Sequence, residues 1–167
     1  MNPAPLCYIG LGSNLDQPIE RVREAAVRLA ALPEVEQFQL SPLYRSAPWG
    51  KLDQPDFINA VAVLRTSLPP VQLLLQLLSV ERQMGRERGA ERWGPRRIDL
   101  DLLHVEGVCL RTDPADSPAL ELPHPRIGER AFVLRPWCDL TEDLDLPGLG
   151  SLRQLANQVD CSSLSQL

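Results

Sequence analysis

The chain has 167 residues, 44% hydrophobic and 23% charged, with a formal net charge of −5. That size and balance suit one domain, residues 1–167, with a real core, and they exclude a disordered polymer. The acidic excess argues against a general nucleic-acid binder, whose affinity rests on neutralising phosphates, and runs such as VQLLLQLLSV fall well short of a membrane span.

In chain order, residues 6–11 (LCYIGL) read as a short buried strand that GSN then breaks. Pro18 suits a first helical turn with Asp16 as its N-cap. Ile19, Val22, Ala26, Leu29 and Ala30 recur on one face of a helix that runs to about residue 32. Residues 35–45 suggest a strand. Residues 56–65 alternate as a second, with Phe57, Asn59, Val61 and Val63 on one face and Ile58, Ala60, Ala62 and Leu64 on the other. Ser67 and the Pro69–Pro70 pair open another helix, striped by Val71, Leu74, Leu75 and Leu78.

An Arg/Gly loop covers 85–96, and a strand over 97–105 turns at Glu106–Gly107 into a further one. Residues 112–119 are loop, with short helices expected near 126–131 and 151–159. Strand, helix, strand, strand, helix, strand is the ferredoxin-like order. The expected class is α+β, a ferredoxin-like antiparallel sheet. C-terminal additions would cover its second face, giving helices on both faces in three layers.

The strongest chemical signal is RRIDLDLL, residues 96–103. On a strand Asp99 and Asp101 share a face, their Cα atoms about 7 Å apart at about 3.3 Å per residue. Ile98, Leu100 and Leu102 then face a core. Paired carboxylates suit magnesium, which keeps waters and completes its shell with substrate phosphates. Taken alone, the two acids read better as a solvated strand face. The neighbouring loop changes that balance, since Arg82 to Arg97 holds six arginines against two glutamates. Guanidinium groups grip phosphate oxygens and hold the charge that builds in phosphoryl transfer. Arg86, Arg88, Arg92, Arg96 and Arg97 are the candidates; a surface salt-bridge cluster with Glu87 and Glu91 is the plainer alternative.

GLGSNL at 10–15 lacks both the P-loop ending and a third dinucleotide-type glycine, so it carries no catalytic role from its pattern. Phe57 and Asn59 point a ring and an amide into one space, where a flat heterocycle can stack and pair. Trp93 and Phe132 are further stacking candidates, although single aromatics are more often core. His124, flanked by prolines near Arg126 and Arg130, is placed to donate hydrogen bonds to phosphate. His104 reads as structural, on the apolar side of its strand.

Five blocks together resemble the 6-hydroxymethyl-7,8-dihydropterin pyrophosphokinase family: YIGLGSNL (8–15), YRSAPWG (44–50), DQPDFINA (53–60), GRERGAERWGPRRIDLDLL (85–103) and LPHPRIGERAFVL (122–134). The resemblance implies transfer of pyrophosphate from ATP to the hydroxymethyl-dihydropterin in folate biosynthesis. It implies Asp99 and Asp101 as carboxylates for two magnesium ions, and Arg86 and Arg96 as loop arginines that assist transfer. Arg88, His124 and Arg130 would contact the nucleotide, with Glu81 facing it. Ser46, Ala47, Trp49, Phe57, Asn59, Trp93 and Phe132 would form the pterin pocket. Phe57 stands where the family often has tyrosine, and Trp49 where a smaller apolar residue is common.

ATP would bind first, and the pterin hydroxymethyl oxygen would attack the β-phosphorus. Expected partners are these small molecules alone, with neither nucleic acid nor membrane, and the protein acting as a monomer. A missing basic n-region and four scattered cysteines, Cys7, Cys109, Cys138 and Cys161, point to reduced thiols and a cytoplasmic location. Two rival readings are a catalytically silent nucleotide or pterin sensor of the same fold and an RNA-binding ferredoxin-like domain. The aspartates on the expected central strands speak against RNA.

Overall fold

A computed structural model describes residues 2–48, 50–85 and 97–167. Trp49, Arg86, Arg88, Arg92, Trp93 and Arg96 lie outside the described residues. Seven elements come first: β1 (Leu6–Ser13), α1 (Pro18–Ala30), β2 (Val35–Leu40), β3 (Tyr44–Ser46), β4 (Phe57–Thr66), α2 (Pro70–Gln83) and β5 (Asp99–Val105). Then follow β6 (Leu110–Arg111), β7 (Glu121–Leu122), a 3-10 turn (Ile127–Glu129), α3 (Ala131–Cys138), β8 (Asp145–Leu146), β9 (Gly150–Ser151), α4 (Leu152–Gln158) and β10 (Ser165–Gln166).

The main sheet is antiparallel throughout, in the order β10-β3-β4-β1-β5, with β2 also paired to β4. Alternation along the strands feeds two cores. Cys7, Ile9 and Leu11 of β1, with Ile58, Ala60, Ala62 and Leu64 of β4 and Leu100 and Leu102 of β5, pack with Val22, Leu29, Leu73 and Leu77 of α1 and α2. Tyr8, Val61 and Leu103 pack instead with Val133, Leu134 and Trp137 of α3 and Leu152 of α4. Every central strand is therefore buried on both faces, which explains its near-continuous apolar run.

Several local expectations are corrected. GSN does not break β1, because Gly12 and Ser13 stay paired to Asn59 and Ile58. Asp16 is not the N-cap of α1. That position is Gln17, at φ 63 with no side-chain cap bond, while the Asp16 carboxylate pairs with Arg97 Nε at 3.0 Å. Ala25 is buried and Ala30 exposed. At 3.6 residues per turn, positions 22, 25, 26 and 29 fall in a band about 100° wide that excludes 30.

The expected 35–45 strand is two, β2 and β3, both paired to β4 and separated by Ser41, Pro42 and Leu43. Pro42 has no N–H to give, and the Ser41 side chain covers the interruption. Its backbone N–H donates to Val61 O at 2.9 Å, and its Oγ accepts from Val61 N–H at 2.9 Å. In α2 the inward stripe is Leu73, Leu77, Val80 and Glu81, while Leu75 on the expected stripe is exposed. A leucine-rich run offers two stripes, and packing against the sheet selects one.

The strand expected over 97–105 starts at Asp99, and β6, beyond the Glu106–Gly107 turn, pairs with β7. The helix expected near 126–131 is the 3-10 turn, followed by α3, which the Pro136 inside it disguises in the sequence.

His104 is not on the apolar side shared by Leu100 and Leu102. A register shift opposite Tyr8 and Ile9 leaves Leu103 as an extra residue. His104 is thereby turned onto Tyr8, against which it stacks with ring centroids 6.2 Å apart. Burial lowers its pKa from the usual histidine value, with Glu106 pulling it back up.

Candidate active site

Cross-strand register aligns the key side chains. Asn59 of β4 lies opposite Gly12 of β1, and Gly12 opposite Asp99 of β5; one step along, Val61, Gly10 and Asp101 form a parallel row. Residues directly opposite share a sheet face. Two strand spacings of about 4.8 Å put the Asn59 and Asp99 backbones about 10 Å apart, with only glycine between them. A Cβ on Gly12 would stand 3.1 Å from Asn59 Oδ1, so the absence of a side chain there leaves the amide its place.

Over these rows opens a cleft of about 180 Å³, whose walls include Ser46, Ala47, Phe57, Asn59, Phe132 and both aspartates. Asn59 is 5% exposed and donates from Nδ2 to Ser46 Oγ at 2.7 Å. Its amide is thereby fixed rather than left to rotate. Arg130, at the start of α3, also lines the cleft; its Nη1 meets Asp101 Oδ2 at 3.3 Å, and its guanidinium lies 5.8 Å from the Phe132 ring centroid.

A second, wider cleft of about 640 Å³ runs past the other side of β5, between α2 and the 111–121 segment. Asp99 and Asp101 belong to its wall too, together with Glu81 and His124. The two spaces therefore meet at the carboxylates.

Strand β5 pairs with β1 along one edge, and along its other edge it is held by partners that are not strands. Glu81, 1% exposed, accepts Leu100 N–H on Oε1 at 2.8 Å, and His124 N–H donates to Leu103 O at 2.8 Å. Glu81 thus ties the aspartate-bearing strand to the end of α2. His124 Nδ1 accepts Arg126 N–H at 3.2 Å, which leaves the ring proton of the neutral form on Nε2. Burial and the Arg130 charge push His124 down to about 4; Asp99 pulls the other way and Arg126 adds to the fall.

The structure brings together ten of the expected residues: Ser46, Ala47, Phe57, Asn59, Glu81, Asp99, Asp101, His124, Arg130 and Phe132. Trp49, Arg86, Arg88, Trp93 and Arg96 lie outside the described residues. The pattern reading assigned nothing to GLGSNL, yet Gly10 and Gly12 are part of the first cleft. The signal was present: in IGLG, residues 9–12, apolar residues alternate with glycine, which marks a strand that something must approach closely.

A family model for 7,8-dihydro-6-hydroxymethylpterin-pyrophosphokinase (HPPK) matches residues 8–142. The chain belongs to that family. It is 46% identical over 140 residues to the 2-amino-4-hydroxy-6-hydroxymethyldihydropteridine pyrophosphokinase of Pseudomonas aeruginosa, covering 84% of this chain and 83% of that protein. The protein of the same name from Methylorubrum extorquens is 38% identical over 160 residues, covering 96% and 97%. Among solved structures, a Plasmodium falciparum HPPK-DHPS chain with pteroate superposes at TM-score 0.70 and 15% identity, over 95% of this chain and 43% of that one. This chain spans less than half of that longer one, and at that identity the likeness is one of fold.

Proposed function

We propose that this HPPK-family chain transfers pyrophosphate from ATP to 6-hydroxymethyl-7,8-dihydropterin, giving AMP and the pterin pyrophosphate, a step of folate biosynthesis. The observation that supports it best is that the two clefts share Asp99 and Asp101. A donor in one space and an acceptor in the other would meet at those carboxylates.

The first cleft takes the pterin, with Phe57 and Phe132 as stacking faces, and Asn59, held by Ser46, pairing with its polar edge beside Ala47. The second takes ATP, its triphosphate reaching the aspartates past His124, whose Nε2–H donates to a phosphate oxygen. Glu81 serves this nucleotide side by keeping β5 in place. Arg130, in the wall of the first cleft and 3.3 Å from Asp101, holds phosphate charge. Trp49, Trp93, Arg86, Arg88 and Arg96 keep the roles that the family resemblance implies, the tryptophans for pterin and the arginines for phosphate. The hydroxymethyl oxygen attacks the β-phosphorus in line and the α–β bridge breaks, so the β and γ groups move together.

The donor set fits magnesium. Asp99 and Asp101 present two carboxylates to the space where the clefts meet, with room left for other oxygen ligands. That is the pattern of a hard cation that completes its shell with water and phosphate. Asp99 and Asp101 would hold two such ions, which when bound neutralise phosphate charge.

The fold is read as ferredoxin-like in three layers, a reading supported by the β1-α1-β2/β3-β4-α2-β5 order and by a core on each sheet face. The chain acts as one domain over residues 1–167 and as a monomer. A cytoplasmic setting is consistent with four cysteines that form no disulfide. Among the described residues no helix is long and apolar enough to cross a membrane.

Mixing the protein with ATP, magnesium and the hydroxymethyl pterin tests the reading. AMP should appear in step with the pterin pyrophosphate, and a silent sensor would release none.

A further inference from the structure

The last residue of β1 and the first of the turn that follows it carry buried polar side chains, Ser13 at 0% and Asn14 at 3% exposure. Neither belongs to the wall of the first cleft. Burying a polar group is costly unless it is hydrogen-bonded, and the bonds these two make run far along the chain. Asn14 Nδ2 donates to Gln54 Oε1 at 3.0 Å and to Pro55 O at 2.9 Å. Gln54 Nε2 in turn donates to Lys51 O at 2.7 Å, so one amide gathers the segment that leads into Phe57. Ser13 Oγ donates to Arg97 O, two residues before Asp99, and Arg97 Nε pairs with Asp16 in the same turn at 3.0 Å.

We propose that Ser13 and Asn14 are positioning residues for the transfer. Asn14 sets the acceptor wall through residues 54–57, and Ser13 sets Asp99 through residue 97. β1 lies between β4 and β5 in the sheet, so this turn is fastened at once to the strand bearing Phe57 and Asn59 and to the strand bearing the aspartates. Its two side chains hold the acceptor and donor walls at a common spacing. The idea rests on the pyrophosphoryl-transfer reading, and its own signature is a division of labour between neighbouring residues.

Steady-state kinetics on the full chain test it. A displacement of about 1 Å in a site can cost on the order of 10²-fold in rate, so a partial release of one wall should be visible. Asn14→Ala is expected to raise the KM for the pterin about tenfold with the KM for ATP within about twofold. Ser13→Ala is expected to do the reverse, raising the magnesium and ATP concentrations needed about tenfold while pterin KM stays within about twofold. Ser13→Thr, which keeps the hydroxyl, should restore them. Asn14→Asp keeps the size but has no N–H to donate, so it repeats the Asn14→Ala result if that protein does not fold.

Equal shifts in both substrates for both variants, or a pterin KM unmoved in Asn14→Ala and Asn14→Asp, would overturn the proposal. A wild-type chain that releases no AMP defeats the functional reading alone. Backbone hydrogen exchange in the ligand-free protein then judges the positioning role by itself. Asn14→Asp should speed exchange at residues 57–59 and leave 60–64 protected, and unchanged exchange at 57–59 would sink it.

Discussion

Asp101 stands where both clefts meet, with Arg130 Nη1 3.3 Å from its Oδ2. Asp101→Ala should lower kcat on the order of 10²–10³-fold, the scale of losing one electrostatic element of a transition state; turnover by AMP release checks this, and an unchanged rate would remove the residue from the mechanism. His124 makes a pH prediction. Its pKa lies near 4 in the folded, ligand-free protein, against about 6.5 in an unfolded chain. Between those values the unfolded state binds the extra proton, so His124 is neutral to stability above about pH 6.5 and costs stability as pH falls toward 4. A polyanion beside it favours the charged ring and reverses part of the shift. Nuclear magnetic resonance of the imidazole protons should give a midpoint near 4 without ligand, moving upward once ATP is added.

At the scale of elements, the break between β2 and β3 is bridged by a side chain. Ser41 Oγ accepts the N–H of Val61, which has 0% exposure. Ser41→Ala would leave that N–H buried without its acceptor, at a cost of about 1–3 kcal/mol, readable as a lower denaturant midpoint with an unchanged slope. The order of β1, α1, β4, α2 and β5 was legible in the sequence because apolar spacing of two or of 3.6 is a local property. The inward stripe of α2 was not, since Leu73 and Leu77 compete with Leu74, Leu75 and Leu78 until the helix meets a sheet. α3 was hidden by Pro136, and the position of His104 by a bulge that no local spacing announces.

For the molecule as a whole, the second core steadies the face on which the first cleft opens. Trp137, at 0% exposure, lies in that core with its ring centroid 5.0 Å from that of Tyr8. Trp137→Ala should cost about 3–5 kcal/mol by opening a cavity. At roughly 2–4 °C per kcal/mol for a chain of this size, the melting temperature should drop by on the order of 10 °C. Calorimetry checks the drop, and KM values measured well below the transition should change little, because Trp137 lines neither cleft.

By itself the sequence named the candidates for the chemistry: two acids on one strand face, arginines close by in the chain, an amide and a ring two residues apart, and a histidine between prolines. Each depends only on neighbours a few positions away. The tertiary structure alone decided that Asn59, Gly12 and Asp99 share one row, that two spaces meet at the same pair of carboxylates, and that Ser13 and Asn14 reach residues 97 and 54–55. Those relations are matters of strand register and loop docking between segments tens of residues apart, and they come into being only when the chain closes on itself and buries both faces of its sheet.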